Sequence, residues 1–438
     1  MSDATAPAAP AQPQRSRAQN FFESFGAWVV GAVVALLGTI VQARILGVSG
    51  RGQVVFLTVL MNLTMFVSMF GVHNSHANIL GQEPERARNV TTNSVVFALV
   101  LSTVIAALAG LILAIIPSKV MQQVGWPLTL FALGGVWILV LQTYLRSLAI
   151  AQYQFRIANG SMLVVPVFTL LVNVGLGIAG ALTVSLALAA WIVGQAIALV
   201  ILLVWVRREI GFGPFDRRLA GRSFSFGAKN HLSTTMQLAN FRLDQLFVGG
   251  IGGSATLGIY SVAVALAETM FYLPEVASQI QRPDLVRAEK KNAAADAAFG
   301  LRITLIALAP LLVNGLFGSE FSAATAQLRV LVPGAIGVAT VKLLSSALVS
   351  QNHPLASSIA IAFSLATTIT LDLLLIPAHG GMGAAIASTT AYWVGGLLTA
   401  VVFVRIFKIS PRLLLPSAND VRALVTPIRE KLARRGAH

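Results

Sequence analysis

The chain has 438 residues, 56% of them hydrophobic and only 11% charged, with a mean hydropathy of +0.78. Soluble domains keep roughly a quarter of their residues charged, so this composition excludes that class and specifies an all-α polytopic membrane protein. A net charge of +15 would suit a nucleic-acid partner in a soluble chain, but Lys and Arg confined to short loops orient membrane spans instead. Cysteine is absent, which removes disulfides, thiolate chemistry and Cys-bound metals.

Residues 1–20, rich in Ala, Pro and Gln, lack an apolar core and read as a disordered cytosolic tail rather than a signal peptide. Apolar stretches of spanning length then recur, about twelve in all. They fall at 25–46, 53–73, 92–116, 127–149, 159–179, 183–206, 225–250, 256–279, 299–317, 328–350, 356–376 and 382–407. The polar segment 207–224 is a cytosolic linker between an N-terminal six-helix lobe at 21–206 and a C-terminal one at 225–407. A basic cytosolic tail follows at 408–438. With the N-terminus in the cytosol, most of the 31 Lys and Arg lie inside, and only Arg44, Arg51, Lys119 and Arg329 fall in outer loops. That bias places both termini on the cytosolic side.

A faint repeat relates the halves. An offset of 206 residues lays Gly52, Asn62, Met65 and Phe66 over Gly258, Glu268, Phe271 and Tyr272, and an offset of 199 lays Asn173 over Asp372. Duplicated lobes with a central cavity between them are a common transporter plan.

Charge buried in the spans marks the candidate site. Asp244, Glu268, Glu275 and Asp372 lie at membrane depth against Arg242, Arg302 and Lys342, and a carboxylate there costs at least about 2.5 kcal/mol unless it faces a watery cavity or a partner. At 100° per residue, Asn230, Thr234, Gln237, Asp244 and Gln245 share one face of the seventh span, and Arg242 lies away from it. Ser261, Glu268, Tyr272 and Glu275 share a face of the eighth, beside Pro274. Trp28, Gly31, Ala35, Gly38 and Gln42 form a milder stripe on the first, and Asn62 lies on the second. Such stripes either line a passage or hold helices together. Glu275, Arg146 and Arg44 lie near span ends, where snorkelling to the interface accounts for them. His73 and His76 lack a third ligand nearby, so no metal site is expected. Motifs of soluble catalysis are missing, as is any large extramembrane segment, so the chain is not expected to be an enzyme or to need an organic cofactor. The basic amphipathic stretch around Val421, Leu424, Val425, Ile428 and Leu432 suits either an interfacial helix or a plain charged tail.

The stretch Asn240-Phe241-Arg242-Leu243-Asp244-Gln245-Leu246-Phe247-Val248-Gly249, followed by Leu257-Gly258-Ile259-Tyr260-Ser261-Val262-Ala263, resembles the seventh and eighth spans of Wzx-type bacterial polysaccharide flippases. Leu331-Val332-Pro333-Gly334, Leu371-Asp372-Leu373-Leu374-Leu375-Ile376-Pro377, Gly383-Ala384-Ala385-Ile386-Ala387-Ser388, Ala43-Arg44-Ile45-Leu46-Gly47 and Gly50-Arg51-Gly52 are similar as well. The resemblance covers most of residues 20–407. It implies two six-helix lobes around a cavity that opens alternately to either side. The cargo implied is a polyprenyl-diphosphate-linked oligosaccharide, moved across the bacterial inner membrane by a chain that works as a monomer beside glycosyltransferases and a polymerase. Arg242 or Arg44 would then hold the diphosphate, with Gln42, Asn62, Gln237 and Tyr272 in the cavity wall, and Asp244, Glu268 and Asp372 would bind a coupling proton or sodium ion. The excess of acids over bases in the spans keeps a second member of the same superfamily open, a cation-coupled multidrug exporter.

Overall fold

The computed structural model describes residues 17–268, 270, 322–351 and 353–415. The ninth expected span, the connection 280–298, Tyr272, Glu275, Arg302 and the amphipathic stretch at 421–432 lie outside the described residues. Within them every regular element is helical. In chain order these are α1 (Arg17–Met69), α2 (Val72–Gln82), α3 (Ala87–Ile115), α4 (Lys119–Val124), α5 (Trp126–Gly134), α6 (Val136–Ala151), α7 (Phe155–Ile178), α8 (Val184–Glu209), α9 (Arg217–Phe247), α10 (Ser254–Glu268), α11 (Ser322–Leu331), α12 (Gly334–Ser350) and α13 (Pro354–Phe407).

Two of these helices are far too long for a single crossing of an apolar layer roughly 30 Å thick. Each breaks at one glycine held at positive φ, Gly47 (φ 66) in α1 and Gly380 (φ 54) in α13, a conformation that a Cβ would oppose. At Gly47 the chain folds back. Arg51 donates to Gln42 Oε1 and to Thr39 Oγ1 (3.4 Å), although a straight helix would separate Thr39 from Arg51 by about 18 Å. A Cβ on Gly383 would likewise sit 2.4 Å from the Leu375 carbonyl oxygen across the break at Gly380. The halves of α1 therefore supply the first two expected spans, and the halves of α13 the last two. The separator expected around 377–383 is thus a single-residue break inside one helix. Residues 217–224, read as linker, form the opening turns of α9, capped by the Asp216 carboxylate, which accepts from the Arg218 and Leu219 amides (2.9 and 3.0 Å).

The N-terminal lobe packs around Leu57, Met61, Leu139, Leu145, Leu148 and Leu202, all essentially inaccessible, and the C-terminal lobe around Leu343, Leu344, Leu348 and Phe403. Outward faces are equally apolar: Leu111, Leu130, Leu171, Val200, Phe363 and Leu374 are exposed, as spans bathed in hydrocarbon require. α9 is span-length but polar, and its polar groups are met from both lobes, Arg242 by Glu268 of its own and His231 by the Phe66 carbonyl of the other.

The lobes meet at both ends. At the α4 end, a Cβ on Gly52 would lie 1.8 Å from the Ser254 carbonyl oxygen, and one on Gly258 would lie 1.8 Å from that of Val48. The offset of 206 that pairs Gly52 with Gly258 also pairs Val48 with Ser254, so this contact is reciprocal about the axis relating the lobes. The hydroxyls of Ser49 and Ser254 bond at 2.6 Å, and Gln123 Oε1 accepts from the Ser254 amide at 3.1 Å. At the linker end, Gly71 packs backbone to backbone on Gly227, and His231 Nε2 donates to the Phe66 carbonyl at 2.7 Å. Phe70 stacks on Phe224 at 5.2 Å, and Arg222 pairs with Glu83 at 2.7 Å.

Candidate functional site

Between these closures lies a cavity of about 680 Å³. Its wall on α1 carries Trp28, Gly31, Ala35, Gly38 and Gln42, the whole small and polar stripe expected there, and continues past the Gly47 break to Asn62. α10 contributes Ser261 and Glu268. α9 contributes Leu238, Arg242 and Gln245, which are spaced to share one helical face. Asn240 and Asp244 belong to the opposite face and are buried inside the C-terminal lobe. The phase argument that separated Arg242 from Asp244 therefore holds, and the cavity takes the arginine.

Arg242 grips Glu268 through both ends of its guanidinium, Nη1 to Oε1 at 2.8 Å and Nη2 to Oε2 at 3.1 Å. Sequence reasoning missed two further arginines. Arg51, expected in an outer loop, sits just beyond the Gly47 fold-back and reaches into the cavity, anchored on Gln42. Arg146, assigned to the interface, lines the cavity with Gln142 and Thr143, and its Nη2 lies 3.1 Å from Met162 Sδ. The buried Nε atoms of both have no hydrogen-bond partner. The polar run Gln142, Thr143, Arg146 was the one signal that could have flagged the second. Arg44, expected beside the substrate, is exposed and absent from the wall, because two residues along the helix turn it about 160° away from the Gln42 face that lines the cavity. Gln237 and Lys342, both half-buried, do not line it either. Among the described residues the wall holds three arginines against one carboxylate, so the acid excess counted along the spans is reversed where a ligand would sit.

The remaining acids form a separate, dry cluster. Asp244 Oδ2 accepts from the Tyr260 hydroxyl (2.6 Å) and the Ser388 hydroxyl (3.0 Å), and its Oδ1 accepts from the Gln245 amide (2.6 Å). Asp372 is fully buried within electrostatic reach of Asp244, and neither of its oxygens has a partner. One turn away, Asn240 Nδ2 donates to Ser364 Oγ (2.9 Å) and Asn240 Oδ1 accepts from Thr368. An unpartnered buried carboxylate costs several kcal/mol as the anion. His76 bonds Ser94 at 3.1 Å, and no group of three metal-ligating side chains occurs among the described residues.

The architecture has solved counterparts. Over 91% of this chain and all of the other, the structure is similar to the multidrug transporter DinF-BH of the MATE family, with a TM-score of 0.67 and 16% identity. It is similar to the lipid II flippase MurJ in an inward closed conformation, over 88% of this chain and 87% of that one, with a TM-score of 0.63 and 14% identity. A transporter of the MOP superfamily from Pyrococcus furiosus, described as having a binding pocket of reverse polarity, matches over 91% of this chain and the whole of that one at a TM-score of 0.52 and 14% identity. At such identities the likeness speaks for the shared two-lobe fold. No sequence among curated proteins matches significantly. A family model described as polysaccharide biosynthesis protein matches residues 41–326, a stretch that holds the cavity's three arginines, Glu268 and Asp244, and by that match the chain belongs to the polysaccharide biosynthesis protein family.

Proposed function

We propose that the protein flips a polyprenyl-diphosphate-linked oligosaccharide across the bacterial inner membrane by alternating access, drawing on an ion gradient through Asp244 and Asp372. The observation that carries this reading is the cationic cavity. Arg51, Arg146 and Arg242 line the space between the lobes, and guanidinium groups bind phosphate oxygens in pairs more strongly than neutral donors do. Gln42, Asn62, Gln142 and Gln195 add neutral groups suited to sugar hydroxyls. A neutral lipid tail stays in the bilayer, so only the headgroup requires the polar path. The linker end faces the cytosol in this reading, with both termini on that side, and the sugar-loaded lipid comes from glycosyltransferases there and goes to a polymerase on the far side.

The multidrug exporter is the less favoured reading because a cationic drug would meet three arginines, and because Asp244 and Asp372 do not line the cavity. The deciding test is export in cells with Arg51→Gln and Arg146→Gln combined. Surface polysaccharide should fall at least tenfold, with lipid-linked oligosaccharide accumulating on the cytosolic face, at wild-type protein level in the membrane. Undiminished polysaccharide, or a phenotype limited to drug sensitivity, would overturn the flippase.

A further inference from the structure

Glu268 differs in kind from the other acids. Asp244 and Asp372 are sealed inside the lobe, 1% and 0% exposed, whereas the side chains of Arg242 and Glu268 are 29% and 21% exposed on the cavity surface. Their contact is a fork of two parallel bonds, the geometry that a guanidinium also adopts with two phosphate oxygens. Resting on the flippase reading, we propose that Glu268 is an internal counter-anion, a stand-in for the substrate's phosphate that occupies Arg242 when the carrier is empty and is displaced when the headgroup enters.

Charge balance supports this. With the pair intact, the wall retains two positive charges, on Arg51 and Arg146. A lipid diphosphate joined to a sugar carries two negative charges, so the loaded cavity is neutral while Glu268 remains in it. Arg51 bonds Gln42 and Thr39, and Arg146 lies against Met162, neutral groups that leave both charges uncompensated for a ligand that also competes for Arg242. Without Glu268, three uncompensated cations would face one another across a closed cavity. The empty carrier would then be held from closing, and the headgroup held from leaving. A carboxylate that competes with the ligand thus exchanges affinity for turnover, and Glu268 sets that exchange.

The purified full chain in detergent, titrated at fixed salt with a short polyprenyl diphosphate, tests the idea alongside flipping assays in proteoliposomes. Glu268→Gln should bind the probe about tenfold more tightly while flipping more slowly, a split that general damage to the fold does not produce. Glu268→Asp, which keeps the charge, should restore much of the rate. The double variant Arg242→Gln with Glu268→Gln should bind like Arg242→Gln alone, because the competitor has lost its target. Equal or weaker binding by Glu268→Gln overturns the counter-anion role, and so does a loss of ion dependence in that variant, which would make Glu268 a coupling site. If the wild type binds no diphosphate at all, the flippase reading falls and takes this one with it; a wild type that binds, beside a Glu268→Gln variant that gains nothing, defeats only this inference.

Discussion

The two lobes carry the same polar pattern with different charge. In the N-terminal lobe Thr169 and Asn173 lie one turn apart on α7, both buried, and their side-chain polar atoms have no hydrogen-bond partner. At an offset of 199 the C-terminal lobe has Thr368 and Asp372 one turn apart on α13, again buried, with both Asp372 oxygens unpartnered. The position is duplicated but the ionisable group is not. A neutral amide left unpaired costs about 1–3 kcal/mol and senses no ion, whereas a carboxylate must be neutralised or ion-bound. The C-terminal lobe also supplies a second acid, Asp244, within electrostatic reach. Ion coupling, as proposed, is therefore a property of one lobe, and the arginines of the cavity wall come from both.

The largest effect should come from removing that asymmetry. Neutralising the C-terminal pair by Asp244→Asn with Asp372→Asn should cut gradient-driven flipping about a hundredfold, equivalent to about 2.7 kcal/mol, while Asn173→Ala leaves the gradient dependence in place. Proteoliposomes with imposed proton or sodium gradients make the comparison, and equal losses in the two variants would mean that the lobes share the task. In the converse variant, Asn173→Asp, a second unpaired carboxylate should lower stability by about 3 kcal/mol at neutral pH, read by thermal unfolding in detergent.

A smaller effect is expected at the two closures. Gly52→Ala puts a methyl group against the Ser254 carbonyl oxygen, and Gly71→Ala does the same against that of Gly227. The first should favour opening at the α4 end and the second opening at the linker end. Because the natural chain has no cysteine, one Cys introduced at Asn62 reports the change. Labelling by an impermeant maleimide should speed up several-fold from opposite sides in the two variants, since a steric conflict of about 1–2 kcal/mol shifts a two-state population by that order. Labelling from the same side in both would show that the closures do not alternate.

The smallest effect belongs to the exposed ion pairs at the linker end. Hydrogen bonding to Arg222 holds the Glu83 carboxyl below the usual range, and the Leu219 amide does the same for Asp216. Carboxyls depressed in the folded state add stability above their unfolded values and lose it as pH falls through the folded ones. Unfolding temperature should accordingly hold steady at neutral pH and fall as the solution turns acid, from the normal carboxylate range downward. Glu83→Gln should flatten that fall slightly, as expected of solvent-screened pairs. A decline that begins near neutrality would assign the latch to other groups.

Among the described residues, the positions of the spans were legible because apolar length and loop charge are local properties: a stretch of 20 or so apolar residues needs no tertiary information to be recognised. The stripe Trp28, Gly31, Ala35, Gly38, Gln42 was legible for the same reason, since helical phase is fixed by the backbone. Arg51 shows where that reasoning ends. It lies beyond the break, and whether it enters the cavity depends on the direction in which the chain leaves Gly47. Arg146 shows another limit: a charge near the end of a span looks interfacial until the packing of α6 against α7 is seen to turn it into the cavity beside Met162.

By itself, then, the sequence determined a polytopic two-lobed membrane protein, its polar faces and the buried acids, because hydrophobicity and helical period are written residue by residue. Only the tertiary structure decided the sign of the cavity. Asp244 and Asp372 turn into their own lobe, while Arg51, Arg146 and Arg242 converge on the space between the two. Electrostatic character depends on which side chains share a volume, and residues distant in sequence come to share one only when the helices pack.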